Sequence, residues 1–122
     1  MKVEKYTNNK GLMGEFVASA LLVCKGFEII ERRYKTACGE IDIIAGKGDL
    51  IIFVEVKWRQ NTEKCFQAIT NRQLLRVQRA SEIFISNHPE YEKNFRRYDV
   101  ILVTKWNVPL HIENVSLDCM LY

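Results

Sequence analysis

Two carboxylates and a lysine interrupt two neighbouring segments that are otherwise mostly apolar. Asp42 lies in the first segment, 39–45, and Glu55 and Lys57 lie in the second, 53–57. Burying an ionised carboxylate is costly unless a cation or hydrogen-bond donors pair with it. Carboxylate oxygens are the ligands that Mg²⁺ and Mn²⁺ prefer. The residue types therefore predict a divalent-metal site and make these segments a candidate for metal-assisted phosphodiester cleavage.

Strand alternation places the acidic groups on one face of a predicted β-hairpin. Successive side chains on a strand point to opposite faces, so Glu40 and Asp42 share a face. A tight-turn signal at 46–49 joins the two segments, and pairing its first residue with its last sets Asp42 opposite Phe53. In that register Glu40 lies opposite Glu55. Asp42 becomes a diagonal neighbour of Glu55, close enough for one cation to bridge both carboxylates.

An alternative interpretation is an ordinary solvent-facing strand, on which charged and apolar residues also alternate. Glu55 and Lys57 share their face with Ile51 and Phe53. These large apolar neighbours favour charged groups at the edge of an apolar wall, as in a cleft. The role of Glu40 stays open between metal ligand, supporting residue and surface charge.

The elements that must position these residues are two predicted helices and five predicted strands. Apolar periodicity predicts helices over 10–25 and 70–87, the first ended by Gly26 and the second before Pro89. The order α-β-β-β-α-β-β predicts an α/β protein with a mixed sheet flanked by helices, in one domain over 1–122. Besides the two strands of the hairpin, strands are predicted over 27–36, 98–105 and 109–116.

The first helix carries a glutamate, Glu15, well away from its main apolar stripe. Periodicity alone predicts that Glu15 is solvated. Small residues beside it, Gly14 and Ala18, would permit a close approach to another element. The stripe predicted to face the core consists of Met13, Phe16, Val17, Ala20, Leu21 and Cys24.

The second helix has a glutamine, Gln73, at the leading end of its core-facing stripe. Val77, Ala80 and Phe84 continue that stripe at helical spacing. One interpretation is a buried amide that bonds to the backbone. The other is a polar group directed at the acidic face of the sheet.

Other polar residues receive structural interpretations. Asp99 opens a strand, where we expect it to bond to local backbone or to a neighbouring arginine. His88 and His111 have no Asp, Cys or His at a useful spacing, so neither triad chemistry nor zinc ligation is indicated. The cysteines are scattered without a CxxC pair and are expected to be reduced and mostly buried: Cys24, Cys38, Cys65 and Cys119.

Composition is typical of a folded domain with one core. The chain has 122 residues, of which 48% are hydrophobic and two are proline, so disorder is not expected. It contains no apolar run long enough to span a membrane and no signal-peptide core, which indicates a cytoplasmic protein without membrane association. The net charge of +3 does not by itself require a nucleic-acid partner.

The ordered motifs resemble those of the PD-(D/E)XK nuclease superfamily. The closer resemblance is to the YraN-like family of small bacterial proteins, which are distantly similar to archaeal Holliday-junction resolvases. Two features depart from the family pattern: Arg72 stands where a lysine usually precedes the helix glutamine, and the segment from Lys57 to Gln73 is slightly short. The matching segments are 14–18, 26–30, 32–34, 39–42, 53–59, 72–73 and 97–100.

This resemblance implies a restriction-endonuclease-like fold and a Mg²⁺- or Mn²⁺-dependent endonuclease that hydrolyses DNA, including branched or flap DNA, and it allows a homodimer. Asp42 and Glu55 would hold the metal with the carbonyl of Val56. The implied catalytic residues are Asp42, Glu55, Lys57, Gln73 and Glu15. Positive charges placed around the acidic hairpin and along the second helix would supply the cationic rim that a phosphodiester needs, and the predicted nucleic-acid contacts are Arg33, Arg59, Arg72 and Arg76.

Two other functions remain compatible with the sequence. The chain could be a nucleic-acid-binding module of the same fold with little or no catalysis, because an intact site motif does not establish turnover. A small protein-interaction domain is the third candidate, and it would show no salt-dependent binding to DNA.

Overall fold

A computed structural model describes residues 2–59, 70–105 and 108–115, with side chains from residue 11 onward. The predicted order of elements is confirmed, with a short 3₁₀ helix added before the fourth strand. The helices are α1 (Lys2–Cys24) and α2 (Asn71–Asn87), and the 3₁₀ helix is Pro89–Tyr91. The strands are β1 (Glu28–Lys35), β2 (Glu40–Lys47), β3 (Leu50–Arg59), β4 (Phe95–Thr104) and β5 (Leu110–Ile112).

The five strands form one mixed sheet, as predicted. They follow chain order across the sheet, β1-β2-β3-β4-β5. β3 and β4 are parallel, whereas the other neighbouring pairs are antiparallel. A parallel pair needs a long crossover connection, and α2 lies within the connection between β3 and β4.

The two helices cover opposite faces of the sheet. Ala18 and Leu22 of α1 belong to a buried cluster with Ile43 and Ile52. Val77, Ala80 and Phe84 of α2 belong to a second cluster with Ile44, Ile51 and Phe53. Each fully buried Leu, Ile or Phe stabilises the fold by about 1.5–3 kcal/mol. Adjacent residues of one strand thus serve different layers, which is why β2 and β3 are apolar on both faces.

The stripe predicted to bury α1 is wrong at four of its six positions. Phe16 is 68% exposed and Met13 is 58% exposed, and Ala20 and Cys24 are also exposed. The buried face runs instead through Gly14, Ala18 and Leu22, with Val17 and Leu21 packed beside it. A Cβ added at Gly14 would lie 3.6 Å from Val56 Cγ1 and 3.8 Å from Trp58 Cβ. Small residues allow the helix backbone to approach the sheet closely, and this close approach determines which face is buried.

The ends of the helices are close to those predicted. Gly26 adopts a φ of 93° after α1, as expected for a helix stop that glycine tolerates best. Lys47 Nζ donates to the carbonyl oxygen of Lys25 at 2.8 Å, which satisfies a group beyond the last turn. Thr70 caps α2 by accepting from the Gln73 backbone N–H at 3.2 Å. α2 ends at Asn87, before Pro89. The start of α1 is the exception, since the helix begins at Lys2 rather than at residue 10.

The predicted register of the β2–β3 hairpin is wrong by two residues. Gly46 pairs with Ile51 and Lys47 pairs with Leu50, so the turn is the two-residue loop at 48–49. Two-residue loops match the twist of the flanking strands best. Because the error is an even number, every side chain stays on its predicted face.

The predicted burial of the cysteines can be checked at two of the four positions. Cys24 and Cys38 are free thiols, but both are exposed, so burial is wrong for these two. Cys65, Cys119 and the atypical segment at 60–69 lie outside the described residues. Among the described residues, no helix is both long enough and apolar enough to cross a membrane.

Candidate active site

The acidic site lies where β2 and β3 separate. Their pairing is regular as far as Ile43 opposite Val54. Beyond that pair the Val56 N–H donates to Asp42 Oδ2 at 2.8 Å, so a side chain takes the place of the next backbone acceptor. Asp42 is therefore next to the Glu55–Val56 peptide, and not opposite Phe53 as the predicted register had it.

A small cavity opens over this end of the hairpin. Its volume is about 280 Å³, and β2, β3, α2 and the turn before β2 all contribute to its wall. The sheet supplies the carboxylates and the helix supplies Gln73 and one arginine. The lining residues are Gly39, Glu40, Asp42, Glu55, Gln73, Arg76 and Val77.

Glu55 and Lys57 form an ion pair on the same face of β3. Lys57 Nζ lies 3.1 Å from Glu55 Oε1, and the lysine side chain is only 9% exposed. Residues two apart on a strand point the same way, which is what brings the two groups together. The buried ammonium therefore serves as the counterion of Glu55.

Glu15 of α1 lies near the site but does not line its cavity. Its side chain is only 14% exposed, so the prediction of a solvated glutamate is wrong. Arg33 Nε donates to its two carboxylate oxygens at 2.9 and 3.2 Å. The negative charge of Glu15 also helps to raise the pKa of Asp42. Periodicity failed for Glu15 because the buried face of α1 was assigned to the wrong stripe of residues. The position of Glu15 around the helix was judged relative to that stripe.

Within the described ranges of the chain, Asp42 has no cation at hydrogen-bond distance. Burial, followed by the negative charge of Glu55, raises its pKa from 3.8 to about 8. Glu15 and Glu40 raise it further, while the hydrogen bond from the Val56 N–H lowers it. At neutral pH Asp42 therefore retains a proton unless a cation takes the place of that proton.

Gln73 lies in the same cavity with its amide oxygen unsatisfied. Gln73 Oε1 is buried and accepts no hydrogen bond from the residues that the structure describes. The first of the two interpretations from the sequence was a buried amide bonded to the backbone. The amide oxygen of Gln73 does not fit it, because this oxygen has no such bond. Leaving a polar atom without a partner costs about 1–3 kcal/mol, so an oxygen of this kind is a candidate ligand or acceptor.

The four arginines predicted to contact nucleic acid have different surroundings. Arg76 lines the acidic cavity, and Arg33 is engaged by Glu15. Arg59 Nη1 donates to the Trp58 carbonyl oxygen at 2.6 Å. Arg72 is exposed in the first turn of α2 and does not line the cavity. Glu40 is exposed at the cavity wall, which does not distinguish between its three proposed roles.

A second polar network, centred on Asp99, was only partly predicted. Asp99 lies within β4, so the prediction that it opens a strand is wrong. Arg97 donates to both Asp99 oxygens at 2.9 Å, which confirms the expected bond to a neighbouring arginine. The backbone donor is not local, because the Asn114 N–H donates to Oδ1 at 3.0 Å from a position after β5. His111 Nε2 lies 2.7 Å from Oδ2, because β5 pairs with β4 at Ile101. Burial acts to raise the Asp99 pKa, but these hydrogen bonds outweigh it and hold the pKa below its usual value.

The donor set at the cavity fits a hard cation held jointly with substrate. No three His, Cys, Asp or Glu side chains in the described ranges are grouped closely enough to form a metal site by themselves. Asp42, Glu55 and Gln73 Oε1 do line one cavity with oxygen donors. Mg²⁺ is commonly held by one or two carboxylates together with waters and substrate phosphates. Ligation by the Val56 carbonyl stays a prediction.

The mixed five-stranded sheet with helices on both faces has the architecture of restriction-endonuclease-like α/β proteins. A sequence model of the uncharacterised protein family UPF0102 matches residues 14–103. The chain belongs to this family, and the resemblance to YraN-like proteins is confirmed.

Relatives from several bacteria match over most of their length. The UPF0102 protein mlr4633 of Mesorhizobium japonicum is 40% identical over 86% of this chain and 84% of its own. A UPF0102 protein of Bradyrhizobium sp. is 43% identical over 84% of this chain and 75% of its own. The UPF0102 protein R00337 of Rhizobium meliloti is 39% identical over 84% of both chains. These names give family membership and state no activity.

Proposed function

We propose that this protein is a Mg²⁺- or Mn²⁺-dependent endonuclease that hydrolyses DNA phosphodiester bonds. The observation that carries the proposal is the environment of the Asp42 carboxylate. It lies near three other carboxylates, has no cation at hydrogen-bond distance among the residues that the structure describes, and has a pKa raised to about 8. Perturbed carboxylates in a cavity are typical of functional sites. Asp42 and Glu55, with Gln73 Oε1 beside them, would hold the cation.

Three residues at or beside the cavity have a defined part in the proposed reaction. A divalent cation at this site would polarise the phosphodiester and acidify the attacking water. Lys57 is held against Glu55, where its ammonium can stabilise negative charge that develops on the phosphate. Gln73 Oε1 is available to accept a hydrogen bond from an attacking water and so to orient it. Arg76, at the cavity wall, can contact a neighbouring phosphate.

Loss of cleavage on removing a site carboxylate tests this proposal. Asp42→Asn and Glu55→Ala should each lower Mn²⁺-dependent cleavage of labelled DNA by about a hundredfold or more, since a metal ligand is lost. Asp49→Asn is the matched control, because Asp49 is exposed in the turn of the same hairpin. Equal cleavage by wild type and Glu55→Ala would contradict the proposal.

The alternative, a nucleic-acid-binding module with little catalysis, is favoured by one observation. Two of the carboxylates already have internal counterions, Glu15 in Arg33 and Glu55 in Lys57. A site neutralised in this way would bind phosphate backbones without a metal. It predicts salt-dependent DNA binding in EDTA and no cleavage by wild type with Mn²⁺ or Mg²⁺.

A further inference from the structure

The exposed apolar face of α1 borders a second cavity. Leu12, Met13 and Phe16 are largely exposed on this helix, although side chains of this size are usually buried. They line a cavity of about 550 Å³ together with Glu15, Arg32 and Arg33. We call this space the α1–β1 cavity.

Two consecutive arginines of β1 line this one cavity. Regular alternation would direct Arg32 and Arg33 to opposite faces of the strand. Arg33 has a φ of 53°, a left-handed conformation that is unfavourable for a residue with a side chain. Backbone strain of this kind is concentrated at functional sites. The irregular backbone allows both guanidinium groups to border the same space.

The charges in the α1–β1 cavity are unequally matched. Arg33 is paired with Glu15. Arg32 has no ion pair within the described ranges of the chain. The cavity therefore combines a flat aromatic ring, two flexible apolar side chains and a guanidinium group without an acidic partner. A nucleotide presents the complementary groups, a base with apolar faces and an anionic phosphate.

We propose that the α1–β1 cavity binds an unpaired nucleotide of the substrate, with its base on Phe16 and its phosphate at Arg32. This inference rests on the proposed function and names the class of substrate, DNA with a single-stranded segment beside the cleavage point. Glu15 lines this cavity, and its charge acts on Asp42, so Asp42 lies within electrostatic reach of the α1–β1 cavity.

A second copy of the chain is a poorer occupant of this face. A two-fold contact would apply the same patch to itself. It would bring the Arg32 side chains of both copies towards each other without adding a carboxylate, since Glu15 is already paired with Arg33. A nucleotide supplies the missing negative charge.

Binding measured without cleavage tests the proposal. Fluorescence anisotropy in Ca²⁺ compares labelled flap DNA with blunt duplex of the same length. Phe16→Ser should weaken flap binding about five- to a hundredfold, the range found for losing one stacked base. Duplex binding should stay within about twofold, because paired bases do not enter the cavity. Val23→Ser is the matched control, since Val23 is exposed on the same helix and does not line the cavity.

The phosphate contact has its own variant. Arg32→Gln should weaken flap binding and lower the slope of log affinity against log salt by about 0.7, the value for one single-strand phosphate. Arg96→Gln, at an exposed position near the start of β4, is the control for loss of one positive charge. An unchanged slope for Arg32→Gln would overturn the proposal.

The remaining outcomes separate this inference from the nuclease proposal. If Asp42→Asn abolishes cleavage but Phe16→Ser binds flap DNA like wild type, the nuclease stands and the nucleotide site falls. If wild type does not cleave but Phe16→Ser loses flap binding selectively, the nucleotide site stands alone. If Phe16→Ser instead converts a dimer to a monomer in light scattering with flap binding unchanged, the face is a subunit interface and the proposal is wrong.

Discussion

At the scale of a single residue, Asp42 lowers the stability of the native state when it is ionised. Its hydrogen bond from the Val56 N–H stabilises the anion, but burial and neighbouring carboxylates favour the protonated acid more strongly. An unfolded chain has no such neighbours, so its Asp42 ionises near pH 4. Between about pH 4 and pH 8, Asp42 is therefore protonated in the native state and ionised in the unfolded state.

A pH dependence of stability follows from this difference. Because the native state binds more protons in that range, the contribution of Asp42 to the free energy of unfolding falls as pH rises from about 4 to about 8. Asp42→Asn cannot ionise and should raise that free energy in EDTA at pH 8 by about 1–3 kcal/mol, less than the full linkage value because water reaches the site.

Urea unfolding in EDTA at pH 5 and pH 8 measures this effect. Asp49→Asn should show no comparable gain, since Asp49 is exposed in the turn. Mg²⁺ should stabilise wild type at pH 8 and have less effect on Asp42→Asn, because a ligand stabilises only the state that binds it. If Asp42→Asn is less stable than wild type at pH 8 in EDTA, ionised Asp42 does not destabilise the native state and this prediction is wrong.

The sequence predicted the sheet residues of this site better than it predicted Glu15 of α1. Alternation put Asp42, Glu55 and Lys57 on one face, and that assignment survived an error in the register because the error was even. Glu15 could not be placed in the same way. Its direction depends on how the whole helix is rotated about its axis, and that rotation is determined by contacts with the sheet.

The rotation of α1 is an example of packing at the scale of an element. Hydrophobicity alone favoured Met13 and Phe16 as the buried face, yet Gly14 and Ala18 occupy it. Large residues have more to gain from burial, but they would hold the helix away from Val56 and Trp58. Periodicity predicted α2 correctly because its large residues are also its buried ones.

Two glycines of α1 provide a matched test of this packing. A Cβ at Gly14 would contact Val56 and Trp58, whereas a Cβ at Gly11 has nothing within 4 Å. Gly14→Val should therefore lower the free energy of unfolding by about 1–3 kcal/mol through overpacking. Gly11→Val removes a helix glycine without a clash and should not destabilise the protein.

Denaturant midpoints of both variants provide the measurement. Gly14→Ala adds only a Cβ at ordinary contact distance and should be tolerated, which separates crowding from the loss of glycine itself. If Gly14→Val and Gly11→Val have equal midpoints, close packing does not determine the face that α1 buries.

At the scale of the whole molecule, Asp99 connects elements that are distant in sequence. It binds Arg97 within β4, His111 on β5 and the backbone of Asn114. The Lys25 Nζ, just beyond α1, lies 2.9 Å from His111 Nδ1 and extends this network to the helix layer. Spacing in the sequence did not predict the contact with His111, because the register of β5 against β4 creates it.

Asp99→Asn should destabilise the whole fold. At pH 7 the loss should be about 2–5 kcal/mol, because Arg97 and His111 lose a buried anionic partner. The lowered pKa means that ionised Asp99 stabilises the native state above about pH 4 and that this contribution is lost as pH falls through its folded pKa. The difference between the variant and wild type should therefore shrink in acid.

Thermal unfolding at pH 7 and pH 3 checks this expectation. Glu113→Gln is the control, because Glu113 pairs with the same arginine at 3.6 Å but is 55% exposed, and exposed pairs contribute little. A constant difference between Asp99→Asn and wild type across this pH range would show that the charge of Asp99 is not what matters.

The hydrogen bond between Asp42 and the Val56 N–H has one more consequence, for the way the hairpin finds its alignment. Sliding one strand past the other by two residues leaves every side chain on the same face, so alternation alone does not select one alignment. The observed alignment is the one in which the Asp42 carboxylate meets the Val56 N–H. The Asp42 carboxylate, which the proposed chemistry needs most, thus also distinguishes the native alignment from alignments shifted by two residues. Correct pairing of the hairpin therefore places this carboxylate at the site.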